Sequence, residues 1–291
     1  MTVDRSTHWL RRISSLETVN FWLTNRVPRR LLTLAVGRLS KVEHPWVSGA
    51  CLALWRAFTD LELEDAKRLE FRSMHDCFTR KLRPGARPVD LRSEVVASPS
   101  DGLLGACDTI RAGTLFQAKD SSYALADLLA GDHALAAGLE GGVYATLRLT
   151  SAMSHRFHAP HDVRVSRVTY VSGDAYNVNP AALARIPRLF CRNERAIVRC
   201  ELDDGAVLAL VPVAAILVAS IRLSFLDVTL HLRHRGPNEM PCDVRLAKGD
   251  EMGWFEHGST IIVLAPAGFR LRHGLEPGGR LRAGEGLLER S

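Results

Sequence analysis

The sequence lacks the patterns that mark several common protein classes. None of its six cysteines falls in a CxxC pair or at zinc-ligand spacing, which favours free thiols in a reducing compartment over disulfides or structural zinc. The longest uncharged apolar stretch, Val207 to Ile221, contains Pro212 and is shorter than the roughly 20 residues needed to cross a bilayer. Arginines interrupt every apolar run near the N-terminus, so no signal sequence is predicted.

Positive charge is concentrated near the N-terminus. Residues 1–41 contain eight lysines and arginines and two acidic residues, a net charge of +6 that equals the formal charge of the whole 291-residue chain. Apolar residues recur there at helical spacing, as in Trp9, Ile13 and Leu16. Amphipathic helices with arginine and tryptophan are typical of segments that lie in an anionic membrane surface. A helical cap packed on the core explains the same pattern, and both can hold. The basic residues form no stripe with stacking aromatics, so no nucleic-acid partner is predicted.

Beyond residue 65 the pattern becomes strand-like. Apolar segments alternate or run continuously, separated by short interruptions rich in Gly, Asp and Pro. These segments are 143–150, 163–170, 196–202, 207–223, 225–232 and 260–264. Only Tyr123 to Ala130 has a helical pattern in this half. Helices followed by many strands predict an α+β fold, with a helical membrane-associating region at 1–65 and a β-rich core domain at 66–291.

The dipeptide Gly258-Ser259 stands just before the apolar run Ile261 to Leu264. This arrangement predicts a tight turn that leads into a buried strand. Because glycine tolerates backbone angles closed to other residues, the hydroxyl of Ser259 can be held within reach of the preceding carbonyl. On these residues alone, a simple turn is the ordinary interpretation.

Two further clusters contain groups that can transfer protons. Asp101 stands in a tight turn of sequence SPSDG, where a solvated turn carboxylate is the simpler interpretation. His155 and His158 flank Phe157 and could supply an acid and a base to one pocket. With His161 they invite a metal-site interpretation, but Pro160 interrupts any helix that would present all three on one face. No metal site is therefore predicted.

Arg195 follows the sequence FCRNE and precedes a strand. A solvated turn or an internal ion pair explains it locally. The functional alternative is a phosphate-binding arginine, since its planar fork of donors suits that anion. Asp101, His158 and Ser259 would together form an acid, base and nucleophile set, although the sequence alone does not show that they meet.

These motifs together resemble the phosphatidylserine decarboxylase family, whose members depend on a pyruvoyl group. The matches follow the family order from roughly Phe21 to Pro266. They are FTRKLRPGARPV (78–89), SPSDG (98–102), HRFHAP (155–160), NVNP (177–180), LFCRNER (189–195) and KGDEMGWFEHGST (248–260). A coincidence of so many ordered motifs is not expected by chance.

The resemblance implies that Ser259 is consumed to make the cofactor. Its hydroxyl attacks the carbonyl of Gly258, with His158 as base and Asp101 orienting that imidazole. Cleavage between Gly258 and Ser259 leaves a β chain (1–258) and an α chain (259–291) that begins with a pyruvoyl group. That group forms a Schiff base with phosphatidylserine, carbon dioxide leaves, and phosphatidylethanolamine is released.

The resemblance also implies roles for other residues and a location for the protein. His155 is the candidate acid that reprotonates the substrate carbon, and Phe157 and Arg195 are the candidate substrate-binding residues. A homodimer and peripheral attachment to the cytoplasmic side of the inner cell membrane are expected, with an anionic membrane surface as partner.

Departures from the family pattern leave the reacting groups in place. His257 precedes Gly258 where Leu or Gly is commoner, and Ser154 replaces an aromatic residue before the first motif histidine. Ala214 and Ala219 stand where glycines are usual, which predicts a tighter pocket if those glycines allow close backbone approach. Two alternatives stay open: a hydrolase that keeps its serine, and a membrane-binding relative that never matures.

Overall fold

The computed structural model describes residues 28–119, 121–216, 220–226, 228–231, 234–256 and 259–291. The helical pattern around Trp9 lies outside these residues, as do Ala219, His257 and Gly258. Ser259 is described by its backbone.

The described part of the chain begins with helices and continues into a β-rich core, as predicted. The helices are α1 Arg29–Leu39, α2 Pro45–Phe58, α3 Met74–Phe78, α4 Leu125–Leu128, α5 His133–Gly138, α6 Pro180–Arg185 and α7 Leu189–Arg192. The strands of the first half are β1 Val95–Ala97, β2 Gly102–Thr109, β3 Thr114–Ala118, β4 Ser121–Ala124, β5 Val143–Leu149, β6 Arg156–His158, β7 Val163–Val171 and β8 Arg195–Glu201. Those of the second half are β9 Val207–Ala214, β10 Ser220–Leu223, β11 Val228–His231, β12 Glu239–Leu246, β13 Glu251–Phe255, β14 Ser259–Ala265, β15 Phe269–Leu271, β16 Arg280–Leu281 and β17 Gly286–Arg290.

The two long N-terminal helices pack on the core through few side chains. Pro45 occupies the first turn of α2, where its missing N–H costs no helical hydrogen bond. Trp55 of α2 stacks on Phe78 of α3 with ring centroids 5.3 Å apart, and Cys77 completes this small buried cluster. Within the described residues, no helix is both long and apolar enough to cross a bilayer.

The core is built on an eight-stranded antiparallel sheet in the order β12-β7-β8-β9-β14-β5-β2-β16. β14 lies centrally, and its residues Ile261 to Ala265 are fully buried. Side chains alternate between faces along a strand, so Ile261 and Val263 join one apolar cluster while Ile262 and Leu264 join another. Burial on both faces explains the continuous apolar run in this segment.

A second sheet has the order β11-β10-β13-β6. It supplies Phe157, Ile221 and Phe255 to the same apolar cluster as Ile261, so the two sheets share one core. The predicted strand segment 207–223 is accordingly two strands, β9 and β10, which belong to different sheets.

The expectation of one helical segment beyond residue 65 was wrong. The described helices α3, α5, α6 and α7 also lie there. Each has six residues or fewer, too short to repeat an apolar stripe. Local capping explains two of them, because the side chains of Asp132 and Asn179 accept the backbone N–H groups of Leu135 and Ala182.

Candidate active site

The motif residues lie together at one end of the strands of the eight-stranded sheet, which we call the sheet edge. A single row of paired residues crosses five strands at this edge: Leu103, Arg148, Thr260, Val213 and Arg195. Strands β2, β14 and β8 run in the same direction. Asp101, Ser259 and Glu194 each stand one or two residues before that row. The SPSDG, GST and NER motifs, far apart in sequence, therefore meet at one edge.

Ser259 opens β14 where three neighbouring strands pass between the sheets. β9, β14 and β5 are adjacent in the eight-stranded sheet, and β10, β13 and β6 are adjacent in the same order in the four-stranded sheet. Each pair is joined by a short connection, through residues 215–219, 256–258 and 150–155. We call this region the crossing. The connection that leads to Ser259 is the middle one of the three.

Backbone pairing fixes both ends of the middle connection. Ser259 pairs with Leu149 on one side and Ala214 on the other. At the opposite end, Phe255 donates its backbone N–H to the carbonyl of His155 at 3.0 Å. His155 therefore lies beside Phe255, the last residue of β13, from which the chain continues to Ser259.

Asp101 is held at this edge by Arg87. The buried carboxylate accepts the Nε–H of Arg87 at 2.7 Å and an Nη2–H at 2.6 Å, a bidentate pair. It also accepts the backbone N–H of Ala283 at 2.9 Å, and Arg87 donates to Asp65 at 2.7 Å. The bond to Asp101 raises the pKa of the Arg87 guanidinium. These contacts exclude the interpretation of Asp101 as a solvated turn residue.

His158 contacts the same turn through a backbone carbonyl. Its Nδ1 lies 3.4 Å and its backbone N–H 2.8 Å from the carbonyl oxygen of Pro99. A carbonyl only accepts, so Nδ1 carries the proton and Nε2 keeps its lone pair. Burial lowers the pKa of His158, while the Pro99 contact opposes that shift. The imidazole is therefore neutral near pH 7 and suited to accept a proton.

The expected direct bond between Asp101 and His158 is not among the contacts of the described residues. The oxygens of Asp101 bind Arg87 and Ala283, and the carbonyl of Pro99 takes the orienting position at Nδ1. The SPSDG turn, residues 98–102, still orients the imidazole, but it does so through its backbone.

His155 is buried beside the N-terminal helices. Its Nδ1 lies 3.0 Å from the carbonyl oxygen of Met153, which assigns the proton to that nitrogen. Its ring packs on Phe78 with centroids 4.0 Å apart, and Phe78 stacks on Trp55. The helices therefore contact the crossing through the ring of His155, in addition to the ion pair of Lys41 with Glu256 and the bond between Thr59 and Ser151.

The two residues expected to bind substrate have roles in the fold. Arg195 is buried, and its guanidinium donates to the carbonyl oxygens of four residues. These are Asp127, Leu128, Cys191 and Asn193, at 2.6 to 3.2 Å. Phe157 is buried in the core, with its ring centroid 5.5 Å from that of Phe255. The geometry gives both side chains a packing or bonding role.

Sequence reasoning missed Arg87 and Arg148. Arg87 stands inside the FTRKLRPGARPV motif, and an arginine near a motif acid was the available signal. Arg148 had no such signal, since it reads as one polar residue in a strand pattern. Within the part of the chain that is described, no group of three His, Cys, Asp or Glu residues could hold a metal ion.

Comparison with known proteins agrees with the motif resemblance. Residues 74–289 match the sequence model of the family described as phosphatidylserine decarboxylase. The chain is 35% identical to the phosphatidylserine decarboxylase proenzyme of Azotobacter vinelandii over 274 residues, which cover 91% of this chain and 96% of that protein. Its identity to the proenzyme of Shewanella frigidimarina is 33% over 93% of this chain and 97% of that protein. Its identity to the proenzyme of Anaeromyxobacter sp. (strain K) is 39%, over 90% and 94%. The chain therefore belongs to the phosphatidylserine decarboxylase family.

Proposed function

We propose that this chain is a proenzyme that cuts itself between Gly258 and Ser259 and then decarboxylates phosphatidylserine to phosphatidylethanolamine. The observation that carries the proposal is the position of Ser259. Ser259 begins the central strand β14, at the same end of the strands as Asp101. The connection that contains His155 lies beside it. The names of the relatives support the same reaction.

Self-cleavage would begin with proton transfer to His158. Its neutral imidazole takes the proton of the Ser259 hydroxyl, and the oxygen attacks the carbonyl carbon of Gly258. The peptide C–N bond breaks as an ester forms. Loss of the Ser259 α-proton then breaks the ester C–O bond, leaving a carboxylate on Gly258 and dehydroalanine at position 259. Water converts the dehydroalanine to a pyruvoyl group and ammonia.

The fold supports cleavage without loss of the α chain. Residues 259–291 supply β14, which is paired on both sides by strands of the β chain. They also supply β16, paired with β2, and β17, paired with β1. The backbone N–H of Ala283 in this chain binds Asp101. The new N-terminus would therefore stay at the sheet edge.

The pyruvoyl group supplies a carbonyl that condenses with the substrate amine and accepts the electron pair left by departing carbon dioxide. This chain's own residues would position the headgroup and return a proton to the substrate carbon. His155 is the proposed acid, because its backbone pairs with Phe255 near the start of β14. Since Nδ1–H is bonded to the carbonyl of Met153, Nε2 would take up a proton and then deliver it to the substrate carbon. The burial of His155 keeps bulk water from competing for that proton transfer.

The proposed membrane contact is the outer face of α1 and α2. Leu31, Trp46 and Leu54 are 69%, 85% and 62% exposed, an unusual exposure for large apolar side chains. Arg56 of α2 is also exposed and suits an anionic surface, whereas the ammonium of Lys41 is paired with Glu256 at 2.9 Å. Because α2 packs on α3, and α3 on His155, helices at the headgroup layer would hold the crossing close to its lipid substrate.

The test is the denatured mass of freshly purified protein. Wild type should give two chains, 1–258 and 259–291, with a pyruvoyl group in place of Ser259. Ser259→Ala should stay a single chain and release no carbon dioxide from phosphatidylserine vesicles. Ser224→Ala, which alters an exposed serine, should be cut as wild type.

Three outcomes would contradict the proposal. One is a folded wild-type chain that stays whole at long times, which favours a relative that does not mature. Another is an uncut chain with hydrolytic activity. The last is a cut protein inactive on phosphatidylserine.

A further inference from the structure

A cavity of about 270 Å³ lies against one face of the eight-stranded sheet. The opposite face of this sheet packs on the core that the two sheets share. Its walls are mainly apolar and include Leu103, Leu104, Leu183 and Phe190. Two motifs that the cleavage chemistry does not use help to form it, because Pro180 ends NVNP and Phe190 belongs to LFCRNER. We call it the Arg148 cavity.

Three polar side chains of this cavity lack partners among the described residues. Arg148 lines the cavity, and its side chain has no hydrogen bond or ion pair with any described residue. Burial lowers the pKa of its guanidinium, and no acid opposes that shift. The buried hydroxyls of Thr146 and Thr260 line the same cavity and also lack a hydrogen-bond partner. A charge left unpaired in this way is costly unless a ligand binds it.

The unpaired arginine lies close to the residue that reacts. Arg148 and Thr260 pair directly across adjacent strands, and directly opposed residues present their side chains on the same face. Neighbouring strands lie about 5 Å apart. Thr260 follows Ser259, and consecutive Cα atoms are about 3.8 Å apart. Residues 259 and 260 alternate in face, so a headgroup bound to Arg148 would reach the carbonyl formed at position 259 around the start of β14.

We propose that Arg148, with Thr146 and Thr260, binds the phosphodiester of the phospholipid substrate. The apolar walls of the cavity contact the carbon chain that is attached to this phosphodiester. This assignment rests on the proposed function. A guanidinium fork and two hydroxyl donors match the oxygens of a phosphodiester.

The substrate's other anion is the carboxylate that leaves as carbon dioxide. The carboxylate loses its charge as the bond to the departing carbon dioxide breaks. An arginine bound to it would therefore stabilise the ground state more than the transition state and slow the reaction. The phosphodiester keeps its charge throughout. Binding it contributes affinity without opposing the chemistry.

The test combines binding with kinetics. Binding of glycerophosphoglycerol, which has a phosphodiester but neither amine nor carboxylate, is measured calorimetrically on uncut Ser259→Ala protein. Adding Arg148→Gln should weaken it roughly 10- to 100-fold, the usual range for a charged hydrogen bond. In processed enzyme the same change should raise the KM for phosphatidylserine by a similar factor with little change in kcat. Thr146→Val should have a smaller effect, roughly 2- to 10-fold.

Matched controls separate this inference from the proposed function. Arg111→Gln removes an exposed positive charge outside the cavity and should change neither value. Arg148→Lys keeps the charge without the fork and should give an intermediate KM. Arg148→Gln should still be cut into two chains, which shows that it folds. If wild type is not cut, the proposed function fails first.

Two results would overturn the phosphodiester assignment alone. One is normal cleavage of Arg148→Gln with unchanged glycerophosphoglycerol binding and KM. The other is selective loss of inhibition by N-acetylserine, which has a carboxylate and no phosphate, because Arg148 would then bind the carboxylate.

Discussion

Two arginines near the same sheet edge differ in what surrounds them. Arg87 binds the fully buried Asp101 through two hydrogen bonds and Asp65 through a third, so its charge is compensated inside the protein. Arg148 faces a cavity with no acid beside it among the described residues. The compensated charge fixes the SPSDG turn. The uncompensated charge is available to a ligand.

This contrast separates the two proposed tasks of the site. The carboxylate of Asp101 and the carbonyl of Pro99 in the SPSDG turn are already bonded before any substrate arrives, as self-cleavage of an isolated chain requires. In the Arg148 cavity, the side chains of Arg148, Thr146 and Thr260 lack partners among the described residues, as recognition of a separate molecule requires. Substitutions at the turn should therefore impair processing or folding, and substitutions at the cavity should impair affinity.

The largest expected effect comes from His158. His158→Ala removes the proposed base and should slow self-cleavage about 10²- to 10⁴-fold. His155→Ala should be processed but decarboxylate poorly, since its role follows cleavage. A time course of chain cleavage on denaturing gels, followed by carbon dioxide release per cleaved molecule, checks both.

His133→Ala serves as the matched control, because this exposed histidine at the start of α5 lies outside the site. It should behave as wild type in both assays. Identical behaviour of the His155 and His158 variants would contradict the division of roles.

The next effect sharpens the comparison of the arginines. Arg87→Met leaves Asp101 buried without its ion pair and should lower the free energy of unfolding by about 3 to 5 kcal/mol. Denaturant unfolding in the uncut Ser259→Ala background measures stability without the complication of cleavage. Arg270→Met, which breaks an exposed pair with Glu289, should have a much smaller effect.

Arg148→Met in the same background provides the decisive contrast. Removing a partly buried charge that has no partner in the described part of the chain should leave stability unchanged or raise it. A loss as large as that of Arg87→Met would show that Arg148 holds the fold, and the distinction between the two arginines would fail.

The elements predictable from sequence were those set by local pattern or by family motif. The apolar run after Ser259 predicted β14, and its position between two buried faces explains why that run is continuous. The motifs predicted catalytic roles for Asp101 and His158, which stay predictions; the structure places the His158 ring against the turn that contains Asp101. The order of helices before strands followed from the change of periodicity near residue 65.

The partners of the charged groups could not be predicted, because they are distant in sequence. Asp101 binds the backbone of Ala283, 182 residues away. The sequence suggested that Arg195 binds phosphate, but its guanidinium donates hydrogen bonds to the carbonyls of Asp127 and Leu128 in α4. The sequence also gave no indication that Arg148 lacks a partner, since a missing contact depends on the whole packed structure.

The smallest expected effect is a pH dependence at the SPSDG turn. Burial places the pKa of His158 below the ordinary value of 6.5, so its proton is lost at lower pH in the folded chain than in the unfolded one. Protonation therefore opposes folding, and the stability present above pH 6.5 is lost as the pH falls through the folded pKa. The rate of self-cleavage should likewise begin to decline at a lower pH than it would for an imidazole with the ordinary pKa of 6.5.

An imidazole with an ordinary pKa would already have lost about half of its neutral form at pH 6.5. Cleavage of freshly refolded precursor, followed at several pH values on denaturing gels, distinguishes the two curves. The residual rate of His158→Ala at each pH corrects for attack that does not use the histidine. A corrected rate that halves by pH 6.5 would mean that water reaches the ring, and the buried, Pro99-oriented imidazole would then not be the form that reacts.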